Sequence, residues 1–121
     1  MINLLHILIF VPFFIYMYLH RKELPSWVCL LCMVVAAVGM MYHFYKLCTL
    51  TEKTKYKRWV YLVHIWYVFP LIGYIGYKCY TCSDKECKPE RMWFEALLLF
   101  TFAALGYHSF NAVKYGLTDL D

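Results

Sequence analysis

YLVHIWYVFPLIGYIGYK, residues 61–78, holds one lysine or arginine, and that residue is its last. A run of this length matches the roughly 20 apolar residues that a helix needs to cross the hydrocarbon of a bilayer. Three further runs have the same character: residues 2–19, 27–45 and 96–113, each without charge and each followed at once by a basic residue. Lipid offers no water to the backbone, so each run must satisfy its own N–H and C=O groups and is predicted to be helical. The first run has the position of a signal peptide. It lacks a basic start and a small-residue cleavage site, and Pro12 sits within it, so it reads as a span.

Composition points the same way. The chain has 121 residues, 63% hydrophobic and only 17% charged, too thin a polar coat for one small soluble domain. The expectation is an all-α integral membrane protein, a single membrane domain over residues 1–121, with four transmembrane helices in an up-down-up-down bundle. The connections at 20–26, 47–58 and 79–92 leave no room for a soluble domain. Positive residues divide evenly. Lys46, Lys53, Lys55, Lys57, Arg58 and Lys114 fall on one face; Arg21, Lys22, Lys78, Lys85, Lys88 and Arg91 fall on the other. With the two faces tied, the positive-inside rule sets no orientation. The compact TEKTKYKR cluster (51–58) favours a cytosolic second loop, with the cysteine-rich third loop on the oxidising side.

The opening stretch has a counterpart in LLHILIFVPFFIYMYL, residues 4–19. Both carry His-Ile, Pro six residues after the His, and Tyr four residues after the Pro: His6, Pro12, Tyr16 and His64, Pro70, Tyr74. The span that follows each also has a counterpart, AAVGMMYHFYK (36–46) against AALGYHSFNAVK (103–114), each with small residues and a Tyr-His. This order predicts a duplicated helical hairpin, repeat one over 2–48 and repeat two over 59–114. Two-span copies keep one orientation, so the repeat is parallel, about an axis along the membrane normal. Pro12 and Pro70 each remove a helical hydrogen bond and should kink their helices at matching depths.

Spacing places His6 and His64 about one turn inside the starts of the first and third helices, and His43 and His108 about one turn before the ends of the second and fourth. Up-down topology then brings all four to one depth. A 3.6-residue period puts His6, Phe10, Phe13 and Met17 on one face, and His64, Val68, Leu71 and Ile75 on another. Cys29, Cys32, Ala36, Gly39 and His43 share a small-residue face, as do Leu97, Thr101, Ala104, His108 and Ala112. Three readings stand. Two histidine pairs can pin the hairpins together by packing and hydrogen bonds. The four imidazoles can hold a transition metal or haem. They can also handle protons, though no Asp or Glu lies among them to continue a relay or support a ligand.

Cys29 and Cys32 form a CxxC at the start of the second helix, and Cys79, Cys82 and Cys87 fall in the third loop on the same face. This layout resembles that of bacterial inner-membrane disulfide oxidases and, more loosely, vitamin K epoxide reductases. The resemblance implies a quinone-linked thiol oxidoreductase using those five cysteines. The third loop here is short, and no arginine stands beside the CxxC to activate a thiol. Cysteine on a small-residue stripe also reads as apolar filler, and the loop cysteines as a disulfide or a metal knuckle.

The segments RWVYLVHIWYVFPLIGYIGYK and FEALLLFTFAALGYHSF resemble a group of small multi-span membrane proteins of large nucleocytoplasmic DNA viruses of algae and protists. That group carries no known catalytic residues. The resemblance implies a viral inner membrane or virus-modified host membrane. It also implies exposed loops that meet capsid proteins, in a structural role without chemistry, while the basic second loop suits anionic lipid headgroups and lipid-facing aromatic ridges leave self-association as a further option. Nothing in the chain points to a nucleic-acid partner.

Overall fold

The computed structural model describes residues 2–82 and 89–116. They form helices α1 (Ile2–Leu19), α2 (Ser26–Cys48), α3 (Lys55–Thr81) and α4 (Arg91–Tyr115), all four long and apolar enough to cross a membrane. No strand occurs among the described residues. The boundaries follow local chemistry. Pro25 stands in the extended conformation immediately before α2, where its missing N–H is not needed. Thr51 and Thr54 close a turn on each other's side chain and backbone ahead of the 3-10 turn Lys55–Lys57 that opens α3. Gly116, at φ 85°, ends α4 in the left-handed region and returns its N–H to the Ala112 carbonyl.

α1 and α3 share an irregularity. Each contains one π-helical turn that starts at its histidine, His6–Phe10 and His64–Val68. Each resumes α-geometry with proline as the second residue of the next segment. The N–H groups of Val11 and Phe69 reach back five residues, to the carbonyls of His6 and His64. Proline lacks an N–H, and its ring crowds the carbonyl four residues earlier, so the preceding turn widens. The wider turn moves the buried positions nearest it by one residue, while Met17, Leu71 and Ile75 are buried as the 3.6-residue period predicts. Val11, Phe14 and Met17 are buried on α1, and Phe69, Leu71, Ile72 and Ile75 on α3. The strict 3.6 period names Phe10, Phe13 and Val68, which are only half-buried. Periodicity cannot count a turn of a different pitch.

The chain divides into two compact units. The first joins α1 with α4 and the second joins α2 with α3. These units cut across the hairpins expected from the sequence, so each unit takes one helix from residues 2–48 and one from residues 59–114.

In the first unit, the start of α1 meets the last third of α4 at His6 and His108, and Tyr18 near the end of α1 meets Arg91 at the start of α4. The helices therefore run antiparallel. The core is Val11, Phe14 and Met17 of α1 with Phe94, Leu97 and Thr101 of α4. In the second unit, Cys29 at the start of α2 is joined to Cys79 near the end of α3, and His43 near the end of α2 meets His64 near the start of α3. A Cβ on Gly76 would stand 2.7 Å from the Cys29 carbonyl oxygen and 2.9 Å from the Cys32 Cβ. Only glycine lets α3 approach the α2 backbone this closely.

Two boundary expectations change. Cys79 belongs to the last turn of α3, since the helix runs through Lys78 to Thr81. A lysine does not stop a helix at an interface, because its long stem carries the charge outward. Lys57, assigned to an exposed loop, is buried, with its ammonium 5.5 Å from the centre of the Tyr56 ring.

Candidate functional site

The four histidines come together as two stacked pairs, one inside each unit. In the first unit the rings of His6 and His108 stack with centroids 4.0 Å apart and planes 21° from parallel. In the second, His43 and His64 stack at 4.4 Å and 12°. Each pair joins a histidine of a π-helical turn to one of a Tyr-His.

Hydrogen bonds settle which ring nitrogen carries the proton. Nδ1 of His6 lies 2.9 Å from the Ile2 carbonyl, Nδ1 of His43 2.9 Å from the Gly39 carbonyl, and Nδ1 of His64 2.7 Å from the Val60 carbonyl. Nδ1 of His108 lies 2.8 Å from Oδ1 of Asn3. Carbonyl oxygens only accept, so Nδ1–H donates in all four, and in the neutral ring Nε2 holds the lone pair.

Aromatic neighbours complete the second pair. His43 meets Tyr61 and Phe69 edge-on, at 5.9 and 5.0 Å between centroids. A Cβ on Gly39 would overlap the Phe69 ring, so glycine there makes room for the cluster. In the first unit His108 meets Tyr107 edge-on, and Asn3 stands where Tyr61 does in the second, three residues before the π-turn histidine. Asn3 is buried. It holds the His108 ring by a hydrogen bond that periodicity passes over; an amide inside an otherwise apolar run is the signal that marks it.

This geometry bears on ligands. Rings stacked near van der Waals distance hold their in-plane lone pairs in two nearly parallel planes, so the two nitrogens of a pair do not converge on one ion. Among the described residues, no three His, Cys, Asp or Glu side chains are grouped as a metal would need. Two axial imidazoles of a haem point at the iron from opposite faces of the porphyrin. A face-to-face pair at 4.0 or 4.4 Å has no slot for that ring. The residues present do not fit either group within a pair.

The cysteines divide differently from the CxxC expectation. Cys29 bonds to Cys79 across the two helices, with Cα atoms 5.6 Å apart. Cys32 keeps its thiol and is buried at the same crossing, and Cys48 keeps an exposed thiol. Cys82 is disulfide-bonded, and Cys87 lies outside the described residues. Pro12 and Pro70 follow the two π-helical turns as described above.

The fold thus defines an all-helical protein with four helices long and apolar enough to span a membrane. No protein-family model, curated protein or solved structure matches the chain.

Proposed function

We propose that the chain is a multi-pass integral membrane protein with a structural, interaction role. Its four helices span up-down-up-down, with the second loop on the cytosolic side. One observation carries the reading: the four span histidines and Thr101 each place a polar side-chain atom on a carbonyl, while the exposed surface of the helices is largely apolar and aromatic. The Nδ1–H of each histidine ends on a carbonyl, and the Thr101 hydroxyl donates to the Leu97 carbonyl. Leu8, Trp27, Val38, Trp66, Leu99 and Phe110 are among the exposed large side chains. Lipid is the solvent in which that surface costs nothing. The stacked histidines fit the role of pins between helices, since each pair joins one helix of each repeat. The repeat supports an origin by duplication. The likeness to viral membrane proteins supports a viral inner membrane or host membrane, with basic loop two on anionic headgroups and the other loops toward capsid proteins.

The test is expression in membranes followed by alkaline extraction, purification in detergent, absorption spectroscopy, metal analysis and cross-linking in infected cells. The protein should stay with the membrane, and cross-links should connect its loops to lipid-layer or capsid components. Release by alkali overturns the membrane assignment. A Soret band or stoichiometric metal overturns the purely structural role.

A further inference from the structure

Cys29 occupies a fork. Across the helix crossing its sulfur is bonded to Cys79, whose Cα lies 5.6 Å away. Along its own helix stands the Cys32 thiol, three residues on. Residues three apart in an α-helix have Cα atoms roughly 5 Å apart, from about 1.5 Å of rise per residue and a radius of about 2.3 Å. Both partners fall inside the roughly 4.4–6.8 Å window in which a disulfide closes. Gly76 presses α3 onto the Cys29 carbonyl and the Cys32 Cβ at this point, so the three cysteines share one tightly packed crossing.

We infer that Cys29, Cys32 and Cys79 form an internal thiol–disulfide exchange site. Cys32 gives up its proton and its thiolate attacks the Cys29 sulfur. The Cys29–Cys32 bond forms as the Cys29–Cys79 bond breaks, and Cys79 leaves as the thiolate and takes up the proton. No oxidant or reductant is consumed. Attack from within the same helix needs no access for an outside reagent, which matters because Cys29 and Cys32 are both buried.

The exchange has two consequences. It moves a thiol from the buried crossing to Cys79, half-buried in the last turn of α3. It also changes what holds the unit together. The Cys29–Cys79 bond ties α2 to α3, whereas a Cys29–Cys32 bond lies within α2 and leaves the pair to packing alone. Cys82, which is itself disulfide-bonded, stands three residues beyond Cys79. The released thiol therefore emerges one helical turn from a second disulfide, at the helix end where protein thiols and disulfides outside the unit can act.

The experiment uses the full chain in detergent at mildly alkaline pH. The sample is pulsed with N-ethylmaleimide over a time course and mapped by mass spectrometry without reduction. Cys48, with its exposed thiol, reports that the reagent is active. Label should accumulate on Cys79 in step with the Cys29–Cys32 linkage, over minutes to hours as for uncatalysed exchange. In Cys32→Ser the Cys79 label should fall to background. The proposal is overturned if Cys29–Cys79 persists as the sole linkage of Cys29 while Cys48 is labelled, whether or not Cys32 takes label, or if Cys79 is labelled equally in both proteins. If Cys32→Ser does not fold, the linkage map of the unaltered chain decides between the same two outcomes.

Discussion

The two helix pairs answer the same structural problem with different materials. Both set a π-turn histidine face to face with a histidine of the partner helix, and both bury residues five, eight and eleven positions after the π-turn histidine: Val11, Phe14 and Met17 in one, Phe69, Ile72 and Ile75 in the other. Counting back from the Tyr-His histidine gives a second match. Thr101, Leu97 and Phe94 are buried seven, eleven and fourteen residues before His108, and Ala36, Cys32 and Cys29 at the same distances before His43. The first unit fills its crossing with large side chains, Phe14 and Met17 of α1 and Phe94 and Leu97 of α4. The second empties it, with Cys29, Cys32 and Gly76, and closes the gap with backbone contact and a disulfide. The same register thus accepts either side-chain bulk or close approach, provided the two facing surfaces are chosen together.

The disulfide should separate the units most. Cys79→Ser opens a link between residues 50 apart in sequence, which the loop-entropy estimate values at about 4 kcal/mol. Unfolding in detergent, followed by cleavage or exchange at α2 and α3, should show the second unit loosened and the α1–α4 pair unchanged. Equal loosening of both pairs would break the comparison.

Next in size is the glycine contrast. Gly76→Ala forces a Cβ against the α2 backbone, and overpacking of this kind costs about 1–3 kcal/mol. Gly106 in α4 faces open space, so Gly106→Ala should be neutral or gain up to about 1 kcal/mol in helix propensity. Thermal denaturation of the two variants side by side measures the difference.

The histidine pairs give a subtler contrast. His108→Phe keeps a ring in the stack but leaves the buried Asn3 amide without its donor, a loss of about 1–3 kcal/mol. His43→Phe removes a bond to a carbonyl of its own helix, the Gly39 carbonyl, and should cost less than about 1 kcal/mol if the stack is packing. A larger loss at His43 than at His108 would say that the ring nitrogen, and not the ring, matters in the second unit.

The smallest effect is expected at the prolines. Pro12→Ala and Pro70→Ala restore an N–H and remove the ring clash, so each π turn should relax toward α-geometry. Cysteine cross-linking at positions just before each turn should report a one-residue change of facing with little change in stability.

Much of this is readable in the residues. Four uncharged runs of spanning length read as helices, and all four are helices long and apolar enough to cross a membrane. The offsets from His6 to Pro12 and from His64 to Pro70 mark two helices of one design, and the small-residue face of Cys29, Cys32, Ala36 and His43 is buried as its spacing predicts. On α1 and α3 the predicted Met17, Leu71 and Ile75 are buried, while next to the π turns Val11, Phe14 and Phe69 take the buried places expected of Phe10, Phe13 and Val68, because those turns change the pitch. Asn3 escapes a periodic reading because one amide leaves no periodic trace. Lys57 reads as a loop residue because charge is taken as exposure, although its stem and ammonium settle over Tyr56.

The sequence by itself determined the helices, their apolar character and the matched positions of histidine and proline, since these depend on local backbone and solvent rules. The tertiary structure alone decided which helix each histidine meets and which cysteine Cys29 bonds. Those choices depend on which surfaces fit at close range. A register written twice in one chain is compatible with pairing inside a hairpin or between hairpins, and only packing distinguishes the two.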